Sequence, residues 1–179
     1  VTIIHTLGRI PPARVVVAGL GKQKEFSAEV VRQVMGTTCR RLRGAGIEKV
    51  ATILHGAGIG GLDAGESAQA IAEGGLLGLY TFKRHFTKTE DKEKEVRELM
   101  VVEVDDTKIS TIQEALDRGR VFAEAAMLAR DMVNEPSNFM TPTHIAEIAR
   151  QIAGEHHLEV TILDKPQMEM LGMGGLLGV

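Results

Sequence analysis

The sequence predicts an α/β fold whose sheet is largely parallel and covered by helices on both faces. Short continuous apolar runs alternate along the chain with longer segments in which apolar residues recur every three or four positions. Continuous apolar runs are typical of strands buried on both faces, and the longer period is typical of helices. Hydrophobic residues make up 44% and charged residues 25% of the 179 residues. These values agree with a globular chain and exclude wholesale disorder.

The predicted strands are apolar runs of four to eight residues that end near turn-forming residues. They cover residues 1–6, 14–21, 49–55, 99–104 and 158–163. A further strand is predicted to begin in the apolar run that closes the sequence, after a short methionine-rich turn or helix. Strands that alternate with helices in this way predict a parallel arrangement.

Four predicted helices begin at residues whose side chains can accept hydrogen bonds from the unpaired backbone N–H groups of the first helical turn. The caps are Ser27, Asp63 with Glu66, Ser110 or Thr111, and Thr141 followed by Pro142. Glycines are expected to end two of these helices, namely Gly44 with Gly46, and Gly154. The helix after residue 109 is expected to bury a stripe formed by Ile112, Leu116, Phe122, Ala125, Ala129 and Met132.

Composition and charge exclude several classes of function. Lys and Arg total 21 against 24 Asp and Glu, so the sequence does not favour a nucleic acid partner. The single cysteine, Cys39, cannot form an internal disulfide, which fits a cytoplasmic location. No apolar run is long enough to cross a bilayer, so no membrane partner is expected. The alternating charges of residues 87–98 predict a solvated surface.

Residues 56–61, with the sequence GAGIGG, satisfy the pattern G-x-G-x-x-G between a predicted strand and a predicted helix. This is where a dinucleotide site would place its glycines. The acidic residue that should hold the ribose about 20 residues later would be Glu73, which falls inside a helix instead of at a strand end. A tight turn that allows close backbone packing therefore explains the glycines better.

No other candidate residues assemble into a catalytic site. Gly19, Gly21 and Lys22 lack the remaining positions of a phosphate-binding loop. The six histidines contain no H-E-x-x-H pattern, and Ile148 stands where an H-x-x-E-H site beginning at His144 needs its second histidine. The remaining candidates have structural interpretations. His55 and Cys39 are interpreted as buried residues, and His156 and His157 as surface residues. Ser67 and Ser137 lie outside any nucleophile elbow, and Asp105 with Asp106 is interpreted as a turn.

Residues 129–146, ARDMVNEPSNFMTPTHIA, resemble the NEP-x-N-x-MTP segment of the leucyl aminopeptidase (cytosol aminopeptidase) family. Three other stretches agree with the family and occur in the same order. They are RVVVAGLGK at residues 14–22, GGLLGLYTFKRH at residues 74–85 and LGMGGLLGV at residues 171–179. Phe139 is a mild departure, because the family has Tyr or Lys there. The resemblance covers essentially the whole sequence.

The resemblance implies three parts of this chain. Residues 1–109 would form an N-terminal domain with a macrodomain-like, three-layer mixed or parallel sheet and helices on both faces, incomplete at its start. Residues 110–133 would form a linker helix. Residues 134–179 would form the truncated beginning of a catalytic α/β domain. We therefore expect the sequence to be a fragment of a longer protein.

The resemblance also implies a function. Members of the family are metal-dependent aminopeptidases that hydrolyse N-terminal residues, often leucine, from peptides with two divalent ions, zinc or manganese, and they form homo-hexamers. Their metal ligands come from motifs of the types VGKG-x-TFD and NTDAEGR, and neither string occurs here. The resemblance therefore transfers no catalytic, metal-binding or substrate-binding residue onto this sequence.

We accordingly expect this portion to be structural, to assist assembly, to need the remainder of the catalytic domain as its partner, and to be inactive alone. The alternative is a ligand-binding module of the macrodomain type for ADP-ribose-like molecules or nucleotides. Asn134, Glu135 and Pro136 are expected to form a structural hinge, because Pro136 fixes its own φ and restricts the residue before it. Apolar residues near the end of the sequence are expected to be exposed and to promote association, namely Leu163, Leu171, Leu176 and Leu177.

Overall fold

A computed structural model of the chain describes residues 1–57, 60–87 and 94–178. Its strands are β1 (Thr2–His5), β2 (Arg14–Val17), β3 (Lys49–Ile53) and β4 (Glu98–Val102). Its helices are α1 (Ala28–Gly44), α2 (Ala64–Leu79), α3 (Ile109–Asn134), α4 (Pro142–His156), α5 (Lys165–Met170) and α6 (Gly174–Leu177). Short 3₁₀ turns cover Gln23–Glu25 and Asp106–Lys108. The chain divides into two compact units, Val1–Asp131 and Met132–Val179.

The strands of the described residues form two small sheets instead of one largely parallel sheet. β1 and β2 pair antiparallel, with Thr2 opposite Val17 and His5 opposite Arg14. β3 and β4 pair parallel, with Lys49 opposite Glu98. β1 and β2 are antiparallel because the chain reverses directly between them, where Leu7 and Gly8 both have positive φ. A direct reversal joins antiparallel neighbours, whereas parallel strands need a crossover.

Among the described residues, β3 and β4 are covered on one face only, whereas the sequence predicts strands that are buried on both faces. Exposure alternates along β3 and β4, and Ile53 is 66% exposed while Met100 is 50% exposed. On the opposite face, Leu99 and Val101 pack against the buried core. An alternation of this kind belongs to a sheet with one open face. The apolar run alone did not distinguish the two arrangements.

The core of the first unit lies where α1, α2 and α3 come together. It is built from small and medium apolar side chains. Its buried members are Val31, Met35, Cys39, Leu54, Ala68, Ala70, Ile71, Ile112 and Ala115. The predicted caps of α1 and α2 are confirmed, since the Ser27 hydroxyl accepts from the backbone N–H of Val30 and Asp63 forms a capping box with Glu66.

Three glycines allow α1 and α2 to cross in close contact. A Cβ atom on Gly78 would lie 2.7 Å from the carbonyl oxygen of Gly36, and one on Gly74 would lie 2.7 Å from Cα of Arg32. Both distances are shorter than a Cβ atom can tolerate against backbone. The two helices therefore meet backbone to backbone, which larger side chains would prevent.

The buried stripe of α3 differs from the predicted one. Its buried residues are Ile112, Ala115, Gly119 and Ala123, whereas Phe122 is 53% exposed. A Cβ atom on Gly119 would lie 2.7 Å from the carbonyl oxygen of Gln69 on α2. Small residues lie on this face because α2 approaches closely. The prediction was right at Ile112 and wrong at Phe122, Ala125 and Ala129, which are exposed.

The second unit is helical in the part that the structure describes. Thr141 caps α4 as predicted, but α4 continues past Gly154 to His156, and the residue after it, His157, has a φ of 55°. Residues 158–163 belong to no sheet among the described residues, so they do not form the predicted strand, which needs a neighbouring strand for its backbone groups. The run predicted to begin a further strand forms the short helix α6 instead. Leu171 and Leu176 are exposed, as expected, whereas Leu163 and Leu177 are half-buried.

Within the ranges that the structure describes, no helix combines the length and the apolar character needed to span a bilayer.

Candidate functional site

The glycine-rich turn between β3 and α2 packs against an aromatic ring. A Cβ atom on Gly56 would overlap the ring of Phe26, and one on Gly60 would lie 2.6 Å from its Cε1. Gly56 also has a φ of 81°, which favours glycine. Gly58 and Ile59 of the same pattern lie outside the described residues. Phe26 occupies the space beside these two glycines that a phosphate group would need, so close packing explains their presence.

Three polar residues at the carboxyl end of β3 satisfy one another. The Ser67 hydroxyl donates to the backbone carbonyl oxygen of His55 at 2.8 Å, and a hydrogen bond of 3.0 Å joins Thr52 Oγ1 to Nε2 of His55. Burial lowers the pKa of His55 below its ordinary value of 6.5. Ser67 reaches the backbone of His55 and not its ring, so the two do not form a nucleophile–base pair.

Glu73, which stands at the spacing of a ribose ligand, is instead part of a polar network between helices. Its carboxylate accepts from Nε of Arg32 on α1 and, at 2.7 Å, from the Gln69 side chain. Gln69 Oε1 accepts in turn from Nε of Arg118 on α3 at 2.9 Å. The Glu73 side chain is 10% exposed. This carboxylate therefore joins helices and does not face a ligand pocket.

Cys39 is fully buried on α1, and desolvation by burial raises the pKa of its thiol to about 11. The nearby charge of Arg40 opposes this shift but does not offset it. A thiol with such a pKa stays protonated near neutral pH, and the thiolate is the nucleophilic form. The structural interpretation of Cys39 therefore fits its surroundings.

The described residues contain no group of three or more His, Cys, Asp or Glu side chains that could hold a metal ion. His144 is hydrogen bonded to Glu147 at 3.3 Å on the surface of α4. Asp105 accepts from the backbone N–H and the hydroxyl of Thr107 and pairs with Lys108. The Thr107 hydrogen bonds, with Lys108, lower the pKa of Asp105. The Asp105–Asp106 pair therefore opens a 3₁₀ turn, and these residues do not fit a two-metal site.

The segment proposed as a hinge follows α3 directly. α3 ends at Asn134, Glu135 is buried, and the carbonyl oxygen of Pro136 accepts from the backbone N–H groups of Phe139 and Met140, both at 2.9 Å. This turn leads to Thr141, which caps α4. A short hydrogen-bonded turn therefore lies between Pro136 and Met140.

Sequence reasoning missed the contact between Phe26 and the glycine-rich turn. The two segments are separated by the whole of α1, and Phe26 was available to local reasoning only as a residue next to a helix cap. The glycine pattern was the one available signal. It indicates that another part of the chain packs closely against this turn, but it does not identify the residue that does so.

Two domain models of one family match the chain. Residues 1–89 match the model of the cytosol aminopeptidase family N-terminal domain, and residues 127–179 match the model of the catalytic domain of the same family. A protein of Alkaliphilus metalliredigens named as a probable cytosol aminopeptidase is 39% identical over 178 residues, which are 99% of this chain and 35% of that protein. One of the same name from Geobacter sulfurreducens is 36% identical over 180 residues, again 35% of its length.

Solved structures show a similar fold. The bottromycin maturation enzyme BotP in complex with Mn matches with a TM-score of 0.78 and 27% identity, and the match covers 98% of this chain and 35% of that one. A mutant of tomato leucine aminopeptidase matches with a TM-score of 0.78 and 24% identity over 96% of this chain. The predicted mixed α/β class is thereby confirmed. The chain spans about a third of the length of the proteins it matches.

Proposed function

Because the chain belongs to the cytosol aminopeptidase family, we propose that it is the N-terminal portion of a metal-dependent aminopeptidase that removes N-terminal residues from peptides. The observation that carries this proposal is the order of the two family matches along one short chain. An N-terminal domain is followed by only the start of a catalytic domain, in a chain that covers 35% of its relatives. The proposed activity therefore belongs to the longer protein.

The proposed division of the chain follows the resemblance. Residues 1–109 form the N-terminal domain, residues 110–133 the linker helix and residues 134–179 the beginning of the catalytic domain. Support comes from the family matches and from the position of α3, which runs from Ile109 to Asn134. A macrodomain-like, three-layer arrangement of the first domain stays a prediction.

The proposed metal ions, two of zinc or manganese, are held outside this chain. The described residues offer no cluster of suitable ligands, and a relative of known structure is in complex with Mn. A pair of divalent ions would lower the pKa of an attacking water and stabilise the oxyanion of the tetrahedral intermediate. The contribution of this chain is to fold, to assist assembly into a homo-hexamer and to lead into the catalytic domain. The relatives' names also favour a cytoplasmic location.

The decisive experiment compares the 179-residue chain with the full-length protein that contains it. Both are incubated with Mn²⁺ or Zn²⁺ and a chromogenic leucine amide. We expect the full-length protein to release leucine and the chain alone to release none, because its described residues do not form a metal site. Metal-dependent release of leucine by the pure chain would overturn the proposal that the chain is inactive alone. An inactive full-length protein would overturn the proposed function.

The hinge proposal for Asn134, Glu135 and Pro136 has its own test in the full-length enzyme. Replacing Asn134 with Ala removes a side chain that suits turn hydrogen bonds at the end of α3. We expect a lower melting temperature or weaker assembly, with any loss of activity following from it. A loss of turnover with an unchanged melting temperature and unchanged assembly would contradict the hinge, because it would indicate a direct part in catalysis.

Among the described residues, no specific contact favours the alternative function, a module for ADP-ribose-like ligands or nucleotides. The ring of Phe26 lies against Gly56 and Gly60, where the diphosphate of such a ligand would have to approach the backbone. The acidic residue at the ribose spacing is engaged with Arg32. We therefore give the aminopeptidase proposal alone.

A further inference from the structure

A groove with a volume of about 340 Å³ opens in the first unit, near the carboxyl ends of α1 and α2. This volume is at the lower end of the range that small-molecule sites occupy. Four parts of the chain contribute to its lining: α1, the end of α2 with the residues after it, the residues before β4, and α3. The side chains that matter are Arg43, Leu76, Leu79, Tyr80, Glu95 and Met127.

The floor of the groove is apolar. Leu76 and Leu79 on α2 and Met127 on α3 line it, and all three are half-buried. Apolar side chains that converge from two helices can bury one aliphatic group of a ligand. Each methylene that such a floor removes from water stabilises a complex. The groove therefore suits a small ligand with a branched or linear aliphatic part.

Its polar lining carries both signs of charge, since Arg43 and Lys83 are cationic and Glu95 is anionic. The Arg43 side chain is fixed by Nη1, which donates to the carbonyl oxygen of Leu79 at 2.7 Å and to the hydroxyl of Thr81 at 3.1 Å. Among the described residues, Nη2 of Arg43 has no hydrogen-bond partner, and the carboxylate of Glu95 has none either. A fixed guanidinium with free N–H groups is a good carboxylate ligand, and a free carboxylate is a good ammonium ligand.

We propose that this groove binds an apolar α-amino acid as its zwitterion. Arg43 receives the carboxylate, Glu95 receives the ammonium group, and the side chain lies on Leu76, Leu79 and Met127. The proposal rests on the groove and not on the peptidase assignment, so the two can fail separately. An apolar amino acid is also what the proposed reaction would release, which would make the groove a site for sensing product.

Tyr80 connects the groove to the end of α3. Its hydroxyl donates to Oδ1 of Asp131 at 2.8 Å, and the guanidinium of Arg130 lies 5.5 Å from the centre of its ring. A ligand that contacts Tyr80 thus contacts the side chain that ties the end of α2 to the last turns of α3. Tyr80 is also the single tyrosine of a sequence without tryptophan. Its fluorescence therefore reports on this groove alone.

The test is a titration of the 179-residue chain with L-leucine, followed by Tyr80 emission and by calorimetry. Isocaproate, isoamylamine and glycine serve as probes that lack the ammonium group, the carboxylate and the side chain respectively. We expect saturable binding of leucine with a Kd below about 10 mM, and binding at least tenfold weaker for each probe. No saturable signal from leucine in either measurement would overturn the proposal, as would equal binding of leucine and isoamylamine.

A variant gives the second arm of the test. Glu95 is exposed, so Glu95→Gln should leave the fold intact while it removes the charge that receives the ammonium group. We expect leucine to bind about tenfold more weakly to this variant. Glu114→Gln, an exposed change on α3 outside the groove, should bind leucine as the unmodified chain does. Unchanged binding by Glu95→Gln would overturn the assignment.

Discussion

At the scale of single residues, glycine decides how closely α1 and α2 approach. Gly36 on α1 lies against Gly74 and Gly78 on α2, and each approach is one that a Cβ atom would obstruct. Glycine normally costs a helix roughly 0.5–1 kcal/mol relative to alanine, because its backbone loses more freedom on folding. The close crossing offsets that cost, since it brings two rows of backbone atoms into contact.

Gly74→Ala should therefore destabilise the chain, by about 1–3 kcal/mol, because overpacked sites force the backbone to shift. The measurement is a urea unfolding curve followed by circular dichroism. Gly154→Ala is the matched control, since Gly154 lies inside α4 with nothing within 4 Å of an added Cβ atom. That change should be neutral or stabilise by up to about 1 kcal/mol. Equal effects of the two changes would show that helix propensity, not the crossing, governs Gly74.

At the scale of elements, a line of polar side chains connects three helices of the first unit. Arg32 of α1, Glu73 and Gln69 of α2 and Arg118 of α3 form successive hydrogen bonds. Glu73 is the most buried of the charged groups in this line. A buried carboxylate with two partners fixes which faces of the helices meet, because any other pairing would leave it unsatisfied.

Glu73→Ala should destabilise the first unit by about 1–3 kcal/mol, because it leaves the partly buried Arg32 and Gln69 with unsatisfied groups. Urea unfolding curves of the single variants and of the double variant with Arg32→Ala would give the coupling between the two residues. Glu29→Gln is the control, since Glu29 is exposed and its pair with Arg32 should contribute less than about 1 kcal/mol. A coupling of zero between Glu73 and Arg32 would contradict the role of the network.

Local signals predicted three of four helix starts and predicted the burial of elements poorly. The exception is α3, which begins at Ile109, before the predicted caps Ser110 and Thr111. Ser27, Asp63 with Glu66, and Thr141 cap helices as expected, because a cap involves residues three positions apart. The open face of β3 and β4 and the buried stripe of α3 depend on which distant elements pack there, and a periodic pattern does not contain that information. The sequence patterns did not predict the groove either, since its lining comes from four separate parts of the chain.

At the scale of the whole molecule, apolar side chains remain exposed on both small sheets and in the second unit. Ile53, Met100 and Val102 lie on the open face of β3 and β4, and Leu171 and Leu176 lie in the second unit. Contiguous exposed apolar surface of this kind marks sites of association. A chain that spans about a third of its relatives has much further polypeptide that such surfaces can contact in the longer proteins.

The 179-residue chain alone should therefore self-associate as its concentration rises. Light scattering should show a mean mass above the 19.4 kDa of one chain. The double change Met100→Lys and Val102→Lys should lower that mass, because it places two charges on the open face of β4 while the covered face stays as it was. Gln113→Lys with Gln151→Lys, at two exposed helical positions outside that face, is a control that adds the same charge. A monomer at all concentrations would contradict this expectation.

The two sheets also differ in when they can form. β1 and β2 are joined by one reversal of the chain, so their pairing closes a short loop, and hairpins form within about 1–10 μs. β3 and β4 run parallel, and the whole of α2 lies between them in sequence. Their ends meet only after a long loop has closed, and closure of long loops delays folding. We therefore expect the antiparallel pair to form before the parallel pair, whose closure brings together segments separated by the whole of α2.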